Sequence, residues 1–183
     1  DLTSGETVVV VGGGFIGQLI VQTLRTSGAG TIVLSEPVSE RRDVGLGAGA
    51  DYAIDPTEAD PAETVSELVG DVDIAIEAVG LPKTIQQAHS LTGPGGRTLV
   101  FGVPPEDATL ELSPFDLFFE EREVLGSYSL TPKTFARAVA LLQNDRIDVD
   151  TLVTDEFGLD GLETAFEQME AREGLKKVVY PAR

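Results

Sequence analysis

The chain has 183 residues, of which 42% are hydrophobic and 24% are charged, and this length suffices for one well-buried domain. Asp and Glu outnumber Lys and Arg by 31 to 13, which gives a net charge of −18 and argues against nucleic acid as a partner. The sequence has no cysteine, no apolar run of membrane-spanning length and no signal-peptide pattern. We therefore expect no disulfide, no thiolate-bound metal and no membrane contact, and a cytoplasmic protein of which this chain is a part.

The excess of acid has two interpretations. Acidic residues are scattered along the chain, and only four of the 13 basic residues are lysine, so we expect a surface of mutually repelling carboxylates. This pattern favours a salt-adapted host. An ordinary acidic cytosolic protein is the alternative.

The predicted elements alternate from residue 7 onward, in the order of a parallel sheet with crossover helices. The strand predictions are 7–11, 31–35, 52–54, 73–76, 97–101 and 123–127, and the helix predictions between them are 16–26, 39–46, 61–69, 82–91 and 114–120. Six strands with five intervening helices predict an α/β fold with a doubly wound parallel sheet.

The last part of the chain breaks this rhythm, with a longer helix near 133–144, a strand at 152–157, a helix near 161–171 and a strand at 177–180. Leu162, Phe166 and Met169 form an apolar face at helical spacing. This face packs either on the core of the sheet domain or against a domain outside this chain. We predict a sheet domain at 1–149 and a short C-terminal α/β segment at 150–183.

The first predicted strand leads directly into a glycine motif, Gly12-Gly13-Gly14-Phe15-Ile16-Gly17, and then into an apolar helix. In this context G-x-G-x-x-G is typical of a Rossmann fold, in which glycines allow a tight turn and a close approach to a pyrophosphate. The free N–H groups and the dipole of the helix N-terminus favour the anion. The motif therefore predicts a dinucleotide site.

Glu36 ends the second strand, nineteen residues after Gly17, where the fold needs an acid for the adenosine ribose. A carboxylate repels a 2′-phosphate, so Glu36 predicts NAD rather than NADP. Arg41 and Arg42 follow, and either side chain has the chemistry to bind that phosphate or to lie on the adenine face.

Two further loops, 77–80 and 101–105, end the fourth and fifth strands at the sheet edge where ligands bind in such folds. They either receive the nicotinamide or are ordinary turns. His89 is the one histidine and lies within a predicted helix, so we interpret it as packed or solvent-facing rather than catalytic. No serine-histidine triad and no metal cluster can be assembled from these residues.

The chain resembles the zinc-dependent medium-chain alcohol and polyol dehydrogenases over almost its whole length. The resemblance rests on an ordered series of motifs: Gly5-Glu6-Thr7-Val8, the glycine motif, Ser35-Glu36-Pro37, Leu46-Gly47-Ala48-Gly49-Ala50-Asp51, Glu77-Ala78-Val79-Gly80, Pro94-Gly95-Gly96-Arg97, Gly102-Val103-Pro104, Leu125-Gly126-Ser127-Tyr128 and Lys176-Lys177-Val178-Val179. The stretch 113–119 and the Ser-Glu-Pro strand end are most similar to the sorbitol, 2,3-butanediol and threonine dehydrogenase branch.

The resemblance implies hydride transfer between a secondary alcohol or polyol and NAD, with the alcohol polarised by zinc. It implies roles for three sets of residues: Gly12, Gly14, Phe15, Ile16 and Gly17 at the pyrophosphate, Glu36 and Arg41 at the adenosine, and Val79, Phe101, Val103, Ser127 and Ser129 beside the nicotinamide.

The family carries its zinc ligands and proton relay in an N-terminal domain of Cys and His residues, which this chain does not contain. The resemblance therefore implies zinc in the parent enzyme but no metal ligand or catalytic residue here, and no turnover by this chain alone. Segment 150–183 then corresponds to the part that returns to the other domain. The family also implies a homodimer through an edge strand, for which residues 109–112 have the right alternation.

Two other functions stay open. One is a free-standing module that binds or senses NAD without catalysis. The other is a zinc-free, NADPH-dependent quinone or enoyl reductase of the same superfamily, against which Glu36 argues.

Overall fold

A central six-stranded sheet organises the chain, of which a computed structural model describes residues 2–181. Its strands are β1 (Thr7–Val11), β2 (Thr31–Ser35), β3 (Tyr52–Ile54), β4 (Ile74–Glu77), β5 (Arg97–Val100) and β6 (Glu123–Gly126). All neighbours are parallel, in the order β3-β2-β1-β4-β5-β6. The chain runs outward in one direction from β1 to β3 and resumes at β4 on the other side of β1, so the strand order reverses between β1 and β4.

A helix follows each strand. These helices are α1 (Phe15–Ser27), α2 (Ser39–Ala48), α3 (Pro61–Val69), α4 (Pro82–Leu91), α5 (Pro114–Phe119) and α6 (Pro132–Gln143). The last four begin with proline, whose fixed φ suits the first turn and whose missing N–H is not needed there. α1 and α2 end at Gly28 and Gly49, both in the left-handed conformation that favours glycine.

The central strands β1, β2 and β4 are buried on both faces, while β6 at one edge is largely exposed. Val8, Val10, Ile32 and Leu34 pack with Val21 of α1 on one face. On the other face, a second cluster includes Val9, Val11 and Val33 together with Val65 of α3 and Ala88 and Leu91 of α4. Burial on both sides explains why β1 is an unbroken run of valines rather than an alternation of apolar and polar residues. The doubly wound α/β prediction is confirmed.

The C-terminal part forms a second, small sheet. Its parallel strands are β7 (Val153–Gly158) and β8 (Lys176–Tyr180), joined through α7 (Leu162–Glu170). Gln22 of α1 holds the start of this part, because its side chain donates to the Asp148 carbonyl at 2.8 Å and accepts from the Asp148 N–H at 2.6 Å. Leu152 is fully buried beside this junction.

Two predictions about packing can be compared with the structure. Leu162, Phe166 and Met169 remain 40–60% exposed, which favours the second of the two interpretations, in which this face meets a domain outside this chain. Residues 109–112 form no strand within the described part of the chain. Their pairing with a second copy stays a prediction. Only Glu111 is anchored, by exchanging backbone hydrogen bonds with the Gln86 side chain at 3.1 Å.

No helix within residues 2–181 is both long enough and apolar enough to cross a membrane.

Candidate functional site

The turn from β1 into α1 is built so closely that it requires glycine. Gly12 has φ +104, and a Cβ there would lie 2.6 Å from Cγ2 of Val79. A Cβ on Gly17 would overlap the carbonyl oxygen of Gly12, because the first turn of α1 packs directly on the loop. The motif predicted from the sequence therefore has a steric basis at both ends.

Gly14, in the middle of the motif, faces open space. It is the N-cap of α1, no side chain caps the helix, and a Cβ at Gly14 would meet no heavy atom within 4 Å. The first N–H groups of a helix lack intrahelical acceptors and carry the positive end of the dipole. The turn thus offers an anion both free donors and room for close approach, as a pyrophosphate requires.

Glu36 lies immediately beside this turn and is only 4% exposed. One carboxylate oxygen accepts from the Gly13 N–H at 2.7 Å, and the other accepts from the Val38 N–H at 3.0 Å. A carboxylate has about four acceptor positions, so two remain for hydroxyl donors in the groove.

A groove of about 440 Å³ runs along this edge of the sheet, over the point where the strand order reverses. Five of the predicted site residues line it: Gly12, Gly14, Glu36, Arg41 and Val79. Sequence reasoning missed its other polar and flanking residues, among them Thr57, Lys83, Thr84, Gln87, Met169 and Arg172. Met169 and Arg172 come from the C-terminal segment. Helical spacing identified Met169 as part of an apolar face, but no local pattern places either residue at this groove.

The remaining predicted residues do not line this groove. Phe15, Ile16 and Gly17 form the first turn of α1. Phe101 and Val103 follow β5, and Ser127 and Ser129 follow β6, at the same carboxyl edge of the sheet. The loops after β4 and β5 touch, since a Cβ on Gly80 would lie 2.6 Å from the Val103 carbonyl oxygen. Val103 itself is 86% exposed.

The two arginines after β2 are both engaged by the protein. The Arg41 guanidinium donates to the carbonyl oxygens of Arg172 at 2.8 Å and Gly174 at 2.9 Å. Arg42 pairs with Asp55 at 2.9 Å and donates to the Pro37 carbonyl. Both guanidinium groups therefore have hydrogen-bond partners within the protein, and their predicted roles at the cofactor stay predictions.

Asp55 is held as a carboxylate at the edge of the groove. The hydroxyl and N–H of Thr57 donate to it, at 2.6 and 2.9 Å, and Arg42 adds its charge. These contacts, led by the Thr57 hydroxyl, keep the pKa of Asp55 below its ordinary value of 3.8. The loop after β3 is therefore fixed beside the groove.

Glu77 organises the loop after β4. It is fully buried, and one of its oxygens accepts from the N–H groups of Val79 at 2.9 Å and Gly80 at 2.8 Å and from the Thr84 hydroxyl at 2.7 Å. The sequence analysis singled out the loop at 77–80 but assigned no role to Glu77, although an acid at the end of a buried strand is a recognisable signal.

His89 is packed and lies outside the groove lining. It is 8% exposed, and its Nδ1 lies 3.2 Å from the Thr98 hydroxyl. Burial lowers the pKa of His89 from 6.5, and Arg122 lowers it further, against the opposing charges of Asp116 and Glu120. This contact agrees with a structural rather than catalytic role.

Among residues 2–181, no group of three or more His, Cys, Asp or Glu side chains is placed to hold a metal ion. The donors that a catalytic zinc needs are therefore not supplied by this part of the protein.

A family model described as zinc-binding dehydrogenase matches residues 16–144. The chain belongs to the zinc-binding dehydrogenase family.

Individual members of this family match over almost the whole chain. L-threonine 3-dehydrogenase of Thermococcus kodakarensis is 30% identical over 97% of the chain, and sorbitol dehydrogenase of Bacillus subtilis is 28% identical over 100% of it. In each case the match covers 52% of the relative. A solved zinc-binding dehydrogenase of Sinorhizobium meliloti, bound to NADP, superposes with a TM-score of 0.87 at 33% identity, over 98% of this chain and 53% of that one.

The chain thus spans about half the length of the zinc-binding dehydrogenases it matches. The family resemblance predicted from the motifs is confirmed.

Proposed function

We propose that residues 1–149 form the NAD(H)-binding domain of a zinc-dependent alcohol or polyol dehydrogenase, and that residues 150–183 lead back to its catalytic domain. The observation that carries this proposal is the placement of Gly14 and Glu36 on one groove, beside an uncapped helix N-terminus. A dinucleotide needs both features, one for its phosphates and one for its ribose.

Each group of site residues has a distinct task. The α1 N-terminus, with Gly12 and Gly14, holds the pyrophosphate, while Phe15, Ile16 and Gly17 supply its first-turn N–H groups. Glu36 accepts from the adenosine ribose. Val79, Phe101, Val103, Ser127 and Ser129 surround the nicotinamide end, where exposed backbone anchors the carboxamide. Bound NAD supplies the carbon that accepts the hydride.

Cofactor choice depends on Glu36. Its buried carboxylate favours free ribose hydroxyls and opposes a 2′-phosphate, so NAD is the preferred cofactor. The S. meliloti relative is bound to NADP, which makes a direct comparison of the two dinucleotides necessary for this chain.

Hydride transfer between a secondary alcohol or polyol and NAD is the activity of the whole protein. Because the described residues offer no zinc donor set, we place the zinc ligands and the proton relay on a catalytic domain outside residues 2–181. The chain alone then binds cofactor without turnover. The cytoplasmic location and the absence of nucleic acid and membrane partners stay predictions.

A homodimer completes the proposal. Glu111 directs both of its backbone groups at Gln86, so an extended chain directs those of residues 110 and 112 outward, toward a second copy. Large apolar side chains are exposed in the region that follows: Phe115, Phe118, Phe119, Tyr128, Leu130 and Phe135. Such exposure favours an interaction surface in this part of the chain.

Calorimetric titration with NAD tests the binding site, with Gly14→Val as the decisive variant. The added side chain enters open groove rather than protein, so it blocks the pyrophosphate without unfolding the chain. We expect a loss of affinity of more than about tenfold, with the melting temperature little changed.

Gly47→Val is the matched control, because a Cβ at Gly47 also meets no atom within 4 Å but lies outside the groove. It should bind NAD like the unsubstituted chain. Equal affinity of the Gly14 variant and the control would contradict the site.

A further inference from the structure

Several basic side chains line the groove, although the protein as a whole is strongly acidic. Three of the 13 basic residues line it, namely Arg41, Lys83 and Arg172. In a chain of net charge −18, this local reversal of sign concentrates a positive field where an anion would lie.

The turn that carries Arg172 is clamped by two other cations. Arg41 of α2 donates to the carbonyl oxygens of Arg172 and Gly174, and Lys177 of β8 donates to the Glu173 carbonyl at 2.7 Å. Three successive carbonyl groups are therefore held from outside the turn. Arg172 has φ +60, a conformation disfavoured for residues other than glycine, and these clamps maintain it.

The Arg172 side chain, unlike its backbone, is not held by the described part of the chain. Within residues 2–181, its guanidinium has no hydrogen bond or ion pair, in contrast to Arg41 and Arg42 beside it. It is exposed and lines the groove that Glu36 and Gly14 also line. The backbone of Arg172 is fixed, and its guanidinium is available for an external partner. This arrangement suits an oxyanion ligand.

We infer that Arg172 binds a phosphate group of the dinucleotide and that Arg41 acts as its positioning residue rather than as a cofactor ligand. The inference rests on the proposed function. A guanidinium donates two parallel, charge-assisted hydrogen bonds to phosphate oxygens, which adds a full positive charge to the uncharged N–H donors of the helix N-terminus. The phosphate is either the pyrophosphate shared by NAD and NADP or the 2′-phosphate that NADP alone carries.

Titration of the full chain and of Arg172→Gln with NAD and with NADP tests the first part. Loss of one charge-assisted phosphate contact should weaken binding by about tenfold. An equal loss for both dinucleotides assigns Arg172 to the pyrophosphate, and a loss confined to NADP assigns it to the 2′-phosphate. Arg137→Gln, on exposed α6, removes the same charge away from the groove and should change neither affinity.

The outcomes separate this inference from the proposed function. Binding by the unsubstituted chain that is unchanged in Arg172→Gln overturns the inference alone. Failure of the unsubstituted, folded chain to bind either dinucleotide overturns the proposed function and the inference with it.

A double-substitution cycle tests the role of Arg41. If Arg41 acts through Arg172, then Arg41→Gln alone weakens dinucleotide binding. The same substitution causes no further loss of affinity in a chain that already carries Arg172→Gln. Arg172→Lys, which keeps the charge, should recover part of the affinity, and only while Arg41 is present. Fully additive losses would mean that Arg41 contacts the cofactor itself and would overturn its positioning role.

Discussion

The Glu36 carboxylate combines two tasks that one substitution can separate. It satisfies two backbone N–H groups, at Gly13 and Val38, and it faces the groove with its remaining acceptor positions. In Glu36→Gln one backbone donor meets an amide NH₂ instead of an oxygen. We expect about 1–3 kcal/mol of lost stability from that mismatch.

Cofactor preference should change more sharply than stability. Without the negative charge of Glu36, the ribose hydroxyls of NAD lose a hydrogen-bond acceptor, and the 2′-phosphate of NADP is no longer repelled. The ratio of the NADP to NAD dissociation constants should therefore fall by at least about tenfold. Calorimetry on both dinucleotides measures this ratio. Glu67→Gln, at an exposed position of α3, removes an equal charge elsewhere and should leave this ratio unchanged. A constant ratio in Glu36→Gln would show that Glu36 does not face the ribose.

Spacing along the chain identified Glu36 but could not predict the hydrogen-bond partners of Arg41. Glu36 follows from local rules, since the length of one strand-helix-strand unit fixes where the second strand ends. The partners of Arg41 are carbonyl groups 131 and 133 residues further along the chain. Arg172 was missed for the same reason, because only the folding of the C-terminal segment over the groove brings it there.

The bounds of helices and strands could be predicted best where proline or glycine marks the end of an element. The helices predicted at 61–69 and 82–91 have the observed bounds, because each begins with proline and the first is followed by Gly70. The strands β1, β2 and β3 also have the predicted bounds. Residues 109–112 form no strand in the single chain, since alternation states which face is buried, not whether a partner strand exists. The order of the strands needed the family motifs as well as the pattern.

The extended segment 109–112 supplies a test of the dimer. Leu110→Pro removes an N–H that points away from Gln86, and we expect the dimer to dissociate toward monomer in light scattering at matched protein concentration. Leu110→Ala keeps the N–H and separates the effect of the side chain from that of the backbone.

Thr109→Pro is the matched control for this element. It stiffens the same segment, but in an extended chain the Thr109 N–H lies on the Gln86 side, away from a second copy. This variant should therefore keep its dimer. Equal dissociation of both proline variants, or a monomeric unsubstituted chain, would contradict pairing through residues 109–112.

For the whole molecule, charge dominates behaviour in dilute buffer. With 31 acids against 13 bases, most carboxylates repel, while the attractive pairs are local, such as Arg25 with Asp51 at 2.6 Å. Raising salt from about 0.01 to 1 M shortens the screening length from about 30 to about 3 Å, which weakens long-range repulsion more than short contacts. We expect the melting temperature to rise with KCl, as the salt-adaptation hypothesis requires.

Two acids of α7 show whether repulsion causes that rise. Glu167 and Glu170 are exposed, three residues apart, and they lie in the half of the helix where the dipole disfavours negative charge. Glu170→Gln should therefore stabilise the chain at low salt by about 0.3–1 kcal/mol, and the gain should vanish in molar KCl. Glu163→Gln, in the first turn of α7, removes the same charge where the dipole favours it, so its gain at low salt should be smaller. No gain at low salt, or a gain that persists at high salt, would mean that salt stabilises this protein by strengthening apolar burial rather than by screening its acids.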